Sequence, residues 1–514
     1  MDDSGPLRTT REEGTVTPKV SLKGITQRFG NVVALDGVDF EAREGRIHAL
    51  VGENGAGKTT LMRVLYGAFQ PTSGEVALDG KPVHLANSAD AIGHGVGMVS
   101  QHYSIISALS TLDNLMLGAE PSFALDRGAA AERASELAKR MGFAFDWQAS
   151  AAGLSPAAAQ KLEILKLLWR ESRIMILDEP TAMLSPVDAD ALYGSLRRLA
   201  DEGATIIVVT HRLPEVLEFS DDVTVLRGGK LITSRPVEGL TAGELAELIV
   251  GRPVHIPEPP PVSPGSTVLD VNELTVRGDR GEHALKHVSF RLAAGELVGL
   301  AGVDGNGQKE LFQTLMGLRP ALAGRVILHG ADVTTQSPAR RIAAGVRLIP
   351  EDRHHEGVIE EWSLVDNAAL GLQRTDALNR RGALDRSRLR GMAAEIAEKF
   401  RTKHGSLDHA MASLSGGNQQ RFVAARALWG GASLTLAFQP ARGLDLAGIA
   451  DVYAALRDTA RAGGSTLVVS YDLDELLTFC DRVIVLCHGQ LAEPAPDAQR
   501  DRAVIGQLMV GVGA

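Results

Sequence analysis

Gly52-Glu53-Asn54-Gly55-Ala56-Gly57-Lys58-Thr59-Thr60 is the stretch that decides how this chain folds. The apolar run Ile47-His48-Ala49-Leu50-Val51 precedes it, and Leu61-Met62-Arg63-Val64-Leu65 follows with the spacing of one helix face. Strand, glycine loop and helix form the context in which the pattern G-x-x-x-x-G-K-[ST] carries chemistry. Glycines let successive N–H groups turn inward and form a nest for phosphate oxygens. The helix N-terminus adds partial positive charge, and a lysine at the position of Lys58 spans the β- and γ-phosphates. Thr59 brings a hydroxyl to Mg²⁺. The stretch predicts a nucleoside triphosphate site.

Working outward, a chain of 514 residues exceeds what one core holds, so two domains are expected. Hydrophobic content of 44% with 23% charged residues is that of a soluble globular protein. There is no run of eighteen apolar residues, and MDDSGPLRTTREEG at the N-terminus lacks an apolar leader segment. The expectation is a chain that neither spans a membrane nor is secreted. A net charge of −10 argues against a nucleic-acid partner, since no broad basic surface is implied. Cys480 and Cys487 fit no metal or redox spacing and read as buried thiols of a reducing compartment.

The organisation is a duplication. Ala34/Ala284, Leu35/Leu285, Val38/Val288, Phe40/Phe290, Gly45/Gly295, Gly52/Gly302, Gly55/Gly305, Gly57/Gly307 and Gly67/Gly317 keep a constant offset. Residues 1–17 read as a flexible polar tail. The copies span 18–252 and 267–514, joined by a proline-rich linker over 253–266. Each copy predicts an α/β core with a helical middle, about Leu112 to Arg170 in the first and Val365 to Leu428 in the second.

Copy two contains Leu414-Ser415-Gly416-Gly417-Asn418-Gln419-Gln420, and copy one contains Arg173-Ile174-Met175-Ile176-Leu177-Asp178-Glu179-Pro180. These resemble the signature loop and the Walker B strand of ATP-binding cassette proteins, and the resemblance runs from about Val20 to Val510. It implies two tandem nucleotide-binding domains, each a P-loop NTPase core with an antiparallel β subdomain and an inserted helical subdomain, using ATP and Mg²⁺. It further implies that Lys58, Glu179 and His211 act in catalysis. Phe29 would stack on adenine, while Thr59, Gln101 and Asp178 would serve the metal. Ser415, Gly416, Gly417 and Asp445 would reach the nucleotide from the opposite cassette.

The copies differ at these positions. In copy two Gln308 and Lys309 replace the lysine and the hydroxyl, Phe438-Gln439 replaces Asp178-Glu179, Tyr471 replaces His211, and Asp279 replaces Phe29. In copy one the signature reads Leu154-Ser155-Pro156-Ala157-Ala158-Ala159-Gln160, without its glycines, and Ser185 stands where copy two has Asp445. Cassettes of this family pair head to tail, so the expectation is one competent site from the phosphate loop of copy one and the signature of copy two. The reverse pairing would be dead.

Leu109-Ser110-Thr111-Leu112-Asp113-Asn114 and its echo Trp362-Ser363-Leu364-Val365-Asp366-Asn367 resemble the permease-facing region of importer ATPases for sugars and nucleosides. That implies two transmembrane permease subunits and an extracytoplasmic substrate-binding (lipo)protein as partners, pairing of the cassettes within the chain, and a place at the cytoplasmic face of the membrane. Gly307-Gln308 and Gln439-Pro440 resemble the nucleoside branch more than the ribose and galactose branch. A soluble cassette protein acting on ribosomes or nucleic acid is the alternative of another class. The pair His354-His355 reads as solvated or partner-facing rather than metal-binding.

Overall fold

In each half the glycine loop leaves the carboxyl end of a strand buried along its whole length, Ile47–Gly52 in the first and Leu297–Ala301 in the second. Uninterrupted aliphatic strands of this kind suit a parallel sheet covered on both faces. The computed structural model describes residues 18–30, 32–100, 104–119, 126–154, 156–181, 184, 186–251, 265–279, 281–373, 378–380 and 383–511. The tail over 1–17, most of the linker over 253–266, Gln101, Ser155 and Ser185 lie outside the described residues. The chain divides into two units, Met1–Pro180 with Ala191–Pro253, and Thr181–Asp190 with Val254–Ala514.

The first unit has a four-stranded antiparallel sheet in the order Val32–Ala42, Val20–Phe29, Ser73–Leu78, Lys81–Pro82. Its six-stranded sheet runs Lys230–Pro236, Asp222–Arg227, Ile47–Gly52, Thr205–Val209, Ile174–Asp178, Val96–Val99, parallel except for the first strand. Val20, Leu22, Phe40 and Val76 of the smaller sheet share one core with Leu50, Leu61, Ile176 and Ile207. Helices Thr111–Met116, Arg127–Met141 and Pro156–Trp169 fill the expected helical middle.

The second unit repeats this plan. Its larger sheet runs Val346–Ile349, Leu434–Phe438, Ser465–Val469, Leu297–Ala301, Arg482–Cys487, Gln490–Ala492, and its smaller one has four strands. The helical middle holds Leu364–Ala368, Arg386–Lys399 and Gly416–Ala427. A short hairpin, Asn379–Arg380 with Ala383–Leu384, interrupts it, which helical periodicity does not foresee. Both cysteines are buried, and burial pushes the Cys480 thiol up. No described helix is long and apolar enough to cross a membrane.

The sheet registers make the two halves comparable residue by residue. Asp178 pairs with Val209 in the first unit, and Phe438 pairs with Val469 in the second. Glu179 and Gln439, the next residues, both take left-handed backbone, φ 52° and 48°, and both donate their N–H to that same valine carbonyl at 2.8 Å. A long side chain in this conformation is costly. The turn survives in the half that has lost the glutamate, so it is built into the strand-to-loop corner.

His48, on the strand beneath the first glycine loop, is buried and bonded through Nε2 to Thr224 Oγ1 at 2.8 Å. Burial, with Arg43 and Arg46 nearby, lowers its pKa from 6.5 to about 3. The folded first unit holds this ring neutral while the unfolded chain protonates it below 6.5. Its contribution to stability is therefore present above pH 6.5 and falls as pH drops toward 3, by about 1.4 kcal/mol per pH unit. Val298 stands at the corresponding place in the second unit. Urea melts between pH 7 and 5 are expected to show a shallower pH dependence for His48→Val than for the unchanged chain; parallel curves would exclude this role.

Candidate active site

The first glycine loop gets its shape from three positive φ values, 156° at Gly52, 80° at Gly55 and 99° at Gly57. A Cβ on Gly52 would run into the carbonyl oxygen of Leu226, and one on Gly57 would sit 2.7 Å from that of Ala34. The loop backbone thus tolerates no side chain at either place. Gly57 caps the helix Lys58–Leu65 without a side-chain hydrogen bond. Such a helix start, with no side chain competing for its N–H groups, suits an anion.

Lys58 Nζ donates to the carbonyls of Gly52 at 2.7 Å and Glu53 at 3.0 Å, folding over the loop. Burial lowers its pKa, against the opposing pull of Glu179, Asp178 and Glu53. Thr59 Oγ1 donates to Asp178 Oδ2 at 3.1 Å. Asp178 is 4% exposed, and burial raises its pKa despite the Thr59 bond. A buried carboxylate held against a hydroxyl, with its charged form disfavoured, is an arrangement that a divalent cation relieves. These oxygens fit Mg²⁺. Glu179 Oε1 lies 3.1 Å from His211 Nδ1, so the two side chains at the ends of neighbouring strands meet.

Phe29 is 44% exposed and meets Phe69 edge-on, with ring centroids 5.3 Å apart. An exposed ring braced from the side is suited to stacking on a base. Sequence reasoning missed Phe69; an aromatic close after the phosphate-loop helix was the available signal. Gln101 lies outside the described residues. The chain just beyond it is tied down, because the Ser104 N–H donates to Glu163 Oε1 at 2.9 Å on the helix Pro156–Trp169.

In the second unit Ser415 caps the helix Gly416–Ala427 and accepts from Asn418 Nδ2 at 2.9 Å. A Cβ on Gly416 would sit 2.6 Å from Arg353 Nη2, so that glycine makes room for the guanidinium. The matching helix of the first unit begins at Pro156, and proline has no N–H to offer at that end. Asp445 is engaged within its own unit. Its carboxylate accepts from the Gly448 N–H at 2.7 Å and from Arg421 Nη2 at 3.0 Å, capping one helix and tying it to the signature helix. His354 and His355 each face a carboxylate, Glu360 at 2.6 Å and Asp352 at 2.7 Å.

The first half thus gathers Lys58, Thr59, Asp178, Glu179 and His211 about its glycine loop, and the second half carries a helix that begins at Gly416 and Gly417. The ABC transporter family model matches residues 35–182 and again 285–441, and the chain belongs to that family. As a member of it the chain is an ATP-binding protein and an ATPase. The nucleoside import ATP-binding protein NupA of Lactococcus lactis subsp. cremoris is 37% identical over 495 residues, covering 96% of this chain and 98% of that protein. The ribose import ATP-binding protein RbsA 1 of Rubrobacter xylanophilus is 37% identical over 500 residues, with 96% and 98% covered. A solved structure named RNase-L Inhibitor is alike in fold, with a TM-score of 0.66 at 18% identity and 94% and 93% coverage.

Proposed function

We propose that this chain is the ATP-hydrolysing subunit of a membrane importer for nucleosides, with one competent ATP site formed between its two cassettes. The observation that carries this is the division of parts. Lys58, Thr59, Asp178, Glu179 and His211 are assembled in the first half, and the glycine signature is intact only in the second. Two half-equipped cassettes are economical only if they share a site.

At that site Lys58 leaves the loop carbonyls for the β- and γ-phosphate oxygens, a change its buried ammonium favours once anions arrive. Thr59 and Asp178 would hold Mg²⁺, which supplies charge neutralisation at those oxygens. Glu179 orients the attacking water and accepts its proton, while His211 fixes the carboxylate and faces the γ-phosphate. Ser415 and the N–H groups of Gly416 and Gly417 close the site from the other cassette. By the family resemblance, Gln101 would serve the metal.

Two permease subunits and an extracytoplasmic binding protein complete the assembly, which places the chain on the cytoplasmic face of the membrane. Gly307-Gln308 and Gln439-Pro440 favour a nucleoside cargo, as does the name of the Lactococcus relative. The Rubrobacter relative's name favours ribose, which is the second reading. Likeness to RNase-L Inhibitor concerns the fold alone. Affinity capture from detergent-solubilised membranes is expected to recover a polytopic membrane protein. Recovery of ribosomes instead would overturn the importer reading, and uptake of labelled nucleoside against labelled ribose in a deletion strain decides the cargo.

A further inference from the structure

We propose that the nucleotide pocket of cassette two is filled by the protein's own side chains and takes no nucleotide, so that each chain binds one ATP. This rests on the assignment of the working phosphate loop to cassette one, and it goes further than the loss of hydrolysis.

The second glycine loop keeps its backbone, with φ of 155° at Gly302, 84° at Gly305 and 110° at Gly307. A nest of N–H groups is therefore still present, and loop shape alone would still admit a phosphate. What has changed is everything that would surround one. Gln308 is 2% exposed and donates through Nε2 to the Val303 carbonyl at 3.0 Å, the counterpart of one bond made by Lys58. Its amide carries no charge to offer a phosphate. Asn306 Nδ2 donates to the same carbonyl at 3.0 Å, and Asn306 Oδ1 accepts from the His488 N–H at 2.8 Å, so the loop is braced from both sides.

At the position of His211, a tyrosine reaches the glycine loop. Tyr471 Oη lies 2.8 Å from Asp304 Oδ1 on the glycine loop and 3.3 Å from Glu351 Oε1 at the end of the strand Val346–Ile349. Asp304 occupies the place of Asn54, and Glu351 that of Gln101. Three substitutions in segments far apart in sequence thus form one bonded cluster. Two carboxyl groups now share one hydroxyl where a polyanion would have to enter. Burial and the nearby Asp304 hold the Glu351 carboxyl above its usual range, as expected when negative charge is crowded.

The metal end and the base end are replaced as well. Phe438 stands where Asp178 would hold Mg²⁺, is 3% exposed, and packs edge-on between Phe312 at 5.4 Å and Tyr471 at 6.1 Å. Lys309, at the place of Thr59, brings an exposed ammonium into the field of Glu351 and presents no oxygen to a metal. The aromatic pair Phe29–Phe69 of cassette one is answered by an ion pair, Arg319 Nη2 to Asp279 Oδ1 at 2.5 Å. That guanidinium is also bonded to Gln313 at 2.9 Å and to the Arg277 carbonyl at 2.8 Å, so it is locked in its own plane. The base platform, the metal ligand and the side chains around the glycine loop are each replaced by groups that satisfy one another. The residues there do not fit Mg²⁺ and ATP.

The test is stoichiometry on the full chain. Equilibrium dialysis with Mg²⁺ and a non-hydrolysable ATP analogue is expected to saturate at one equivalent. A photoreactive azido-ATP is expected to label peptides from residues 18–252 and none from the second glycine loop. Two equivalents, or label on peptides around Asp304 or Tyr471, would overturn the proposal. The combined reversal Gln308→Lys, Lys309→Thr, Phe438→Asp and Tyr471→His is expected to add a second equivalent, and a folded reversal variant that stays at one equivalent would show that these side chains are not the barrier. If Lys58→Ala leaves hydrolysis untouched, the assignment of the working site is wrong; if Lys58→Ala abolishes it while two analogues bind, only the exclusion is.

Discussion

Glu179→Gln is expected to lower the ATP turnover number by about 10²–10⁴-fold, the usual worth of a positioned general base, while leaving ATP bound. The substitution keeps the length and the planar head of the side chain. A glutamine can still bond to His211, whose Nδ1 lies 3.1 Å from Oε1. The left-handed backbone at this corner is retained with glutamine in the second half, where Gln439 has φ 48°. The fold therefore already shows that this residue type is accepted here. What is lost is the ability to take a proton, since an amide oxygen is far less basic than a carboxylate. Removing the charge also relieves Asp178, whose raised pKa owes part of its shift to Glu179, so nucleotide and metal should bind at least as well. The measurement is steady-state phosphate release alongside filter binding of labelled ATP. Turnover left within about tenfold of the unchanged chain, ~1.4 kcal/mol in barrier, would remove Glu179 from the chemistry.

The duplication, both glycine loops, the Walker B strand and the signature helix were legible in the sequence because each is local. A strand of aliphatic residues, a set of positive-φ glycines or a helix beginning at Gly416 is specified within a few positions. The asymmetry of the copies was legible for the same reason. Other features depend on residues brought together by the sheet. Tyr471 stood out as the replacement of His211, but Asp304 and Glu351 look unremarkable in sequence, and only the topology sets both on its hydroxyl. The swap of Phe29–Phe69 for Asp279–Arg319 was visible at one member only, because the second lies beyond the motif. Asp445 adds a contact that the motif does not show: its Oδ1 accepts from the Gly448 N–H and from Arg421, which ties it to the signature helix.

Gly417→Asp is expected to abolish hydrolysis without weakening the fold, and this separates the shared-site reading from any account in which cassette one works alone. Gly417 is the second residue of the helix Gly416–Ala427, within ordinary helical backbone. A Cβ there would meet the Gly443 carbonyl at 3.5 Å and Leu444 Cδ2 at 3.8 Å, both normal contacts. An acidic residue in the first turn stabilises a helix by about 0.3–1 kcal/mol, and replacing glycine restricts the unfolded chain by about 0.4–1 kcal/mol. The melting temperature should hold or rise. On the proposed pairing, however, the new carboxylate points where the γ-phosphate of the opposite cassette must come, and two anions then face each other at a helix N-terminus. Loss of one donor group at such a place costs about 10²–10³-fold, and a charge of the wrong sign costs more. Pro156→Ala, at the corresponding end in cassette one, and Gln308→Ala should each change turnover by no more than about twofold, ~0.4 kcal/mol. The discriminating quantity is the ratio between these variants under one assay, with melting curves recorded for each. Equal damage at Gly417 and Pro156 would mean that both composite sites turn over, and the division of labour between the two halves would have to be given up.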